Sequence, residues 1–178
     1  RRYFDPLPFW YAPFEHAQTD STEFPLHSLT QRPPFMYHAW GSQNAWLRQI
    51  MARNFLYLHP DTAARYGLAD GDWAELRSHL RAITVPVKLT NNVQPDTVWT
   101  WNALGKRKRT WGLSADAPES NQGFLLNPLI SDLTPNADYA NADPITGQAA
   151  WFDLRVALRK VAPQSFSTPQ FTPLGAPA

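Results

Sequence analysis

Residues 55–78 read FLYLHPDTAARYGLADGDWAELRS, and this stretch decides the fold class. Phe55, Leu56, Tyr57 and Leu58 make a short apolar run of strand type, too short for a helix and rich in aromatics. A short helix over 61–66 follows. Pro60 is tolerated at its start, where a missing N–H costs no hydrogen bond, and Gly67 is placed to stop it. Residues 68–72 form a turn, and 73–78 alternates polar and apolar as a half-buried strand does. Strand, single-turn helix, tight turn and strand in such quick succession belong to a small β-rich domain.

The rest of the chain repeats this grammar. Residues 25–30 read as a first strand, ended at Arg32, Pro33 and Pro34 because successive prolines cannot continue a ladder. A helix over 44–52 is expected from the spacing of Trp46, Leu47, Ile50 and Met51, with Asn44 as N-cap. His79, Leu80 and Arg81 turn the chain back into a strand over 82–89, and 97–101 and 151–161 supply two more. Residues 124–133 resemble one or two turns of helix, and 135–150 a polar loop. The expectation is about six strands and two or three short helices, a small β-barrel with helical decoration.

Composition bounds the function. The chain has 178 residues, enough for one core, with 43% hydrophobic and 17% charged residues, which excludes disorder for the bulk. Seventeen prolines against eight glycines disfavour long helices. A net charge of +1 gives no duplex-binding footprint. The absence of cysteine excludes disulfides, Fe–S and thiolate-zinc ligation and cysteine nucleophiles, and leaves the redox compartment open. No apolar run is long enough to span a membrane.

Residues 1–24 read as an extended arm rich in proline and aromatics, 25–162 as the folded unit and 163–178 as a loosely ordered tail. The chain opens Arg1, Arg2, Tyr3 instead of Met, which reads as an excised or processed piece. Eight tryptophans are more than one small barrel buries, so part of the surface is expected to be covered by a larger protein.

Five elements occur in order: LTQRP (29–33), YHAWGSQN (37–44), HPDTA (59–63), GLADGD (67–72), and Asn127 ahead of DPITGQ (143–148). Together they resemble the molybdopterin dinucleotide-binding, C-terminal domain of the dimethyl sulfoxide reductase superfamily of molybdenum and tungsten oxidoreductases. The resemblance covers roughly 25–160. It implies a six-stranded double-psi β-barrel of the aspartate-decarboxylase-like type that holds molybdopterin guanine dinucleotide and closes the active site of a larger enzyme. It further implies that the metal ligand lies in preceding domains, that this chain carries no catalytic or metal-ligating residue, and that alone it does not turn over substrate. The implied partners are those domains and an Fe–S electron-transfer subunit, in bacterial cytoplasm or periplasm. The loop at Gly105, Lys106 and Arg107, with residues 127–130, resembles the branch acting on sulfur compounds. His59 before Pro60, where the family commonly has Asn, departs from the pattern at a turn.

A pterin dinucleotide asks for three kinds of residue. Its pyrophosphate suits hydroxyls, fixed N–H groups and a planar guanidinium, which Thr30, Arg32, Ser42 and Asn44 offer, with the helix start near Asn44 adding free N–H groups. By resemblance His38 faces the cofactor, where an imidazole can donate to or stack on the pterin. Asn121, Gln122, Gly123 and Asn127 form the second segment brought to the cofactor, with amides suited to heterocycle edges. Gln148 matches a further polar position.

Plainer readings stand beside these. Without the ordered pattern, Thr30 to Pro33 is a turn with a solvated arginine. His16, His27, His59 and His79 have no metal-ligand spacing, and Asp70, Gly71 and Asp72 make a hairpin turn with no third carboxylate for calcium. Lys106, Arg107, Lys108 and Arg109 sit in a long connection, 102–123, of the length that functional loops have. By default they are solvated; contact with an anionic group or neighbouring domain is the sharper reading. The alternatives are a stand-alone double-psi barrel acting as an interaction or substrate-recognition module, and single-stranded nucleic-acid binding through exposed aromatics.

Overall fold

The computed structural model describes residues 7–8, 10, 12–105, 112, 114, 117, 121–150 and 152–164. The basic run 106–109, Trp111 and residues 165–178 lie outside the described residues. In chain order the elements are α1 (Phe14–Gln18), β1 (Leu26–Gln31), α2 (Ala45–Ile50), β2 (Leu56–Leu58), α3 (Pro60–Arg65), β3 (Trp73–Arg77), β4 (Ala82–Leu89), β5 (Thr97–Trp101) and β6 (Arg155–Val161).

The six strands close a mixed barrel in the order β1-β5-β2-β4-β3-β6. The order contains two interlocked crossings. Consecutive strands β1 and β2 flank β5, parallel to one and antiparallel to the other, and consecutive strands β4 and β5 flank β2 in the same way. This is the double-psi arrangement. Closure leaves no sheet edge to be capped. Pro86 fits inside β4 because Val87 N–H donates to Asp72 C=O on the β3 side, which turns the proline nitrogen toward β2, where pairing begins only at Val87.

Local chemistry sets the element ends. Asn44 caps α2, its side-chain oxygen accepting from Trp46 N–H at 2.9 Å and Leu47 N–H at 3.4 Å. His59 caps α3, with Pro60 in its first turn, and Gly67 follows the helix at φ 63°. The hairpin between β3 and β4 closes on Ser78 N–H to Arg81 C=O at 2.9 Å.

Three expectations change. The one or two helical turns expected over 124–133 come down to a single 3-10 turn at Asn127–Leu129, with Pro128 as its second residue, and Phe124, Leu126 and Leu129 are buried in the barrel core. The last strand starts at Arg155, after a turn in which Asp153 N–H donates to Ala150 C=O. The N-terminal segment contains the short helix α1 where an extended arm was read. Its Glu15 is 1% exposed and accepts from Arg155 N–H at 3.1 Å and from the Asn141 amide at 3.4 Å. The Arg155 guanidinium adds donors to the Phe24 and Pro25 carbonyls.

Leu56, Leu58, Leu76, Val85, Val87 and Val98 fill the barrel with no exposure, each worth about 1.5–3 kcal/mol for full burial. A second cluster, Met36, Met51, Ala103 and Leu104 with Phe35, Leu47 and Trp101 packed against it, anchors the segment 32–54 on one end of the barrel. Only half of the face read from α2 points inward: Leu47 joins this cluster, whereas Trp46 and Ile50 are 76% and 64% exposed.

Candidate functional site

The site lies at the barrel end where β1 and β5 finish side by side, Gln31 opposite Trp101. Three segments leave or enter there, and one side chain joins them. Asn54, with no exposure, donates from Nδ2 to the carbonyls of Trp101 at 2.7 Å and Phe124 at 3.1 Å. Its own N–H donates to Gln122 C=O at 2.9 Å, and its Oδ1 accepts from Phe55 N–H and the Thr100 hydroxyl. Every polar atom of this amide is used, as burial requires.

The backbones of 104–105 and 123–124 are pressed together beneath this end. A Cβ on Gly105, at φ 121°, would stand 2.4 Å from Phe124 backbone atoms, and one on Gly123 would stand 2.8 Å from Asn54 Cβ. Only glycine permits that approach. Both ends of the intervening loop, the one carrying the basic run, are therefore pinned to the barrel.

Above the pinned base, Asn102 N–H donates to Gln31 C=O at 2.8 Å, extending the β1–β5 ladder, and Asn102 Nδ2 stands 3.4 Å from His38 Nδ1. His38 is half-buried and has φ 51°. Beside it opens a cleft of about 530 Å³ lined by Arg32, Phe35, Met36, Tyr37, Gly41 and Leu47, among others. Arg32 is exposed, and its guanidinium is unpaired among the described residues. Tyr57, Trp99 and Trp101 form a half-buried aromatic row on the outer wall, with centroids 4.6 and 4.5 Å apart. Burial raises the pKa of the Tyr57 phenol, offset in part by its hydrogen bond with Trp101.

The remaining residues singled out from the sequence fall in different settings. Thr30 is 4% exposed in the barrel wall. Ser42 is fully buried, and its hydroxyl donates to Ala39 C=O at 2.6 Å. The helix N–H groups expected to be free at Asn44 are taken by the Asn44 side chain itself. Asn121 and Gly123 are buried in the segment held by Asn54, and Asn127 is exposed at the start of its 3-10 turn. Gln148 is exposed on a hairpin bridged at Ala142 and Ala149, whose base is tied through Asn141 to Glu15 instead of to the other candidates. The structure thus brings Arg32, His38 and the 121–124 segment to one end and leaves Gln148 apart. Sequence reading missed Asn54 and Asn102. An asparagine beside a strand has no signature alone; the signal for Asn102 was its place directly after β5, which becomes visible only once β1 and β5 are known to be neighbours.

Among the described residues no group of three or more His, Asp or Glu could hold a metal ion, and no helix is long and apolar enough to cross a membrane.

Comparison with known proteins names the class of this barrel. The molydopterin dinucleotide binding domain matches residues 26–144, and the chain belongs to that family. It is 47% identical over 178 residues to a sulfite dehydrogenase subunit of Allochromatium vinosum, covering 97% of this chain and 18% of that protein. Trimethylamine-N-oxide reductase of Haemophilus influenzae is 31% identical over 94 residues, 51% of this chain and 11% of that one. Among solved structures, acetylene hydratase from Pelobacter acetylenicus superposes with a TM-score of 0.61 over 90% of this chain and 22% of its own, at 19% identity, a likeness of fold. The chain spans under a fifth of the length of these two curated relatives.

Proposed function

We propose that this chain is the cofactor-closing domain of a molybdenum or tungsten oxidoreductase acting on a sulfur compound, and that it holds molybdopterin guanine dinucleotide at the barrel end organised by Asn54. The observation that carries the reading is the convergence of Arg32, His38, Asn102 and the 121–124 segment on that end. Its donor set fits the group: a guanidinium free for pyrophosphate, and an imidazole backed by the Asn102 amide for a heterocycle edge. When bound, the cofactor supplies redox chemistry at its metal; this chain supplies binding, orientation and cover. The similarity to the sulfite dehydrogenase of Allochromatium vinosum supports the sulfur-compound branch.

The exposed apolar surface supports further domains as partners. Tyr37, Trp40, Trp46 and Ile50 are 61–76% exposed on one short segment beside the cleft, a patch that a larger protein would cover. An electron-transfer Fe–S subunit completes the proposed assembly.

Titration of the chain with guanosine diphosphate, followed by amide chemical shifts, tests the reading. Shifts at Arg32, His38 and residues 121–124 are expected, abolished in Arg32→Ala. Changes confined to other faces of the barrel would overturn it.

A further inference from the structure

His38 and Asn102 make one unit, 64 residues apart in sequence. Among the described residues only His38 (51°) and Ala137 (58°) have positive φ without being glycine, a conformation that costs about 1 kcal/mol and persists where the surroundings fix it. In this conformation His38 Nδ1 stands 3.4 Å from the Asn102 side-chain nitrogen. An amide nitrogen donates and cannot accept, so Nδ1 is the acceptor and carries no proton. In a neutral imidazole the proton then sits on Nε2. His38 Nε2 makes no hydrogen bond among the described residues. Asn102 cannot drift away, because its backbone N–H is the last rung between β5 and β1.

From this geometry we infer that Asn102 is a positioning residue that locks His38 in the Nε2–H tautomer and presents that N–H as a donor to an acceptor atom on the bound cofactor. The second half rests on the proposed function; the first stands on the geometry alone. The recognition logic is specific. A pterin edge or a phosphate oxygen accepts from Nε2–H, whereas the opposite tautomer would offer it a lone pair and repel it.

The test uses two readouts. The chain labelled with ¹⁵N-histidine is examined by long-range ¹H–¹⁵N correlation near pH 8.5, where neutral imidazoles dominate. Its five histidines allow His38 to be assigned by comparison with His38→Gln. The wild-type chain is expected to show the Nε2–H pattern. Asn102→Asp, which turns the donor into an acceptor, is expected to invert it to Nδ1–H, and thermal melting checks that the barrel persists. An unchanged His38 pattern in Asn102→Asp, or an Nδ1–H pattern in the wild type, overturns the inference. The second readout is guanosine monophosphate released by acid from the full-length protein carrying Asn102→Asp, expected to fall roughly fivefold, the loss of one hydrogen bond. If the tautomer inverts while the nucleotide content is unchanged, the pairing stands and the reading that His38 meets the cofactor is overturned.

Discussion

The side chain of Asn54 donates to the main-chain carbonyl of Trp101 at 2.7 Å, joining the residue that leads into β2 to the last residue of β5. The same nitrogen reaches Phe124, so one amide nitrogen fixes two segments of the site.

Removing that amide tests how far the site depends on it. Asn54→Ala leaves the Trp101 and Phe124 carbonyls buried without this donor and opens a small void, and is expected to cost about 3 kcal/mol, from roughly 1–3 kcal/mol per orphaned group. Asn54→Asp retains the shape but replaces the donor with a carboxylate aimed at two carbonyls. It should be at least as destabilising as the alanine, measured as the shift in urea midpoint.

Two glycines with positive φ are predicted to respond differently. Gly67 (φ 63°) has open space where a Cβ would go, so Gly67→Ala bears only the conformational penalty, about 1 kcal/mol. Gly105 (φ 121°) would drive its Cβ into the Phe124 backbone, which the rigid pairing beneath it cannot relieve. Gly105→Ala is expected to abolish folding or to lose several times as much, and circular dichroism melts of the pair separate the two cases.

Attachment of the N-terminal segment is predicted to depend on pH. Burial lowers the pKa values of His16, His27 and His79, with Arg155 adding to the effect on the first two. The fold therefore favours their neutral forms. Their contribution is complete above the ordinary value of 6.5 and is lost as pH falls below it, where the unfolded chain takes up protons that the folded one resists. Burial raises the pKa of Glu15, so that group contributes in the opposite sense, favouring the fold at low pH and losing that contribution as pH rises from 4.5 through its raised value. Glu15→Gln should therefore steepen the gain in stability between about pH 5 and 7, because the largest opposing contribution beside Asp153, whose pKa burial also raises, is removed. Melting temperatures of the two proteins across that range check this; parallel curves would contradict it.

Trp46, 76% exposed, contributes little to the chain by itself. Trp46→Ser is expected to change its stability by no more than about 0.5 kcal/mol. In the full-length protein the same substitution is expected to weaken association of this domain with the rest, read as a faster release of the domain in limited proteolysis.

The architecture was legible in the sequence wherever short-range chemistry decides it. Pro60 and Gly67 bracket α3 as read, Asn44 caps α2, and five of the six strands fall within about a residue of their expected places. Residues 124–133 misled because a run of leucines buried in a barrel core has the same composition as an apolar helix. The candidate site was half legible. Arg32 and His38 sit in motifs that the sequence displays, whereas Asn54 and Asn102 tie the site together through partners 46 or more residues away. Ser42 and Asn44 show the converse: residue types suited to a ligand, spent on their own backbone.

The interlocked order of the strands also dictates when the site can exist. The gap between β1 and β2 is filled by β5, which the chain supplies only at Thr97–Trp101. A nascent chain emerging from the ribosome therefore carries Arg32, His38 and Asn54 long before anything can bring them together. Contacts this remote in sequence form slowly. The end that carries Arg32, His38 and Asn54 cannot assemble before Phe124 has been made, which sets the earliest moment at which the proposed dinucleotide site can exist.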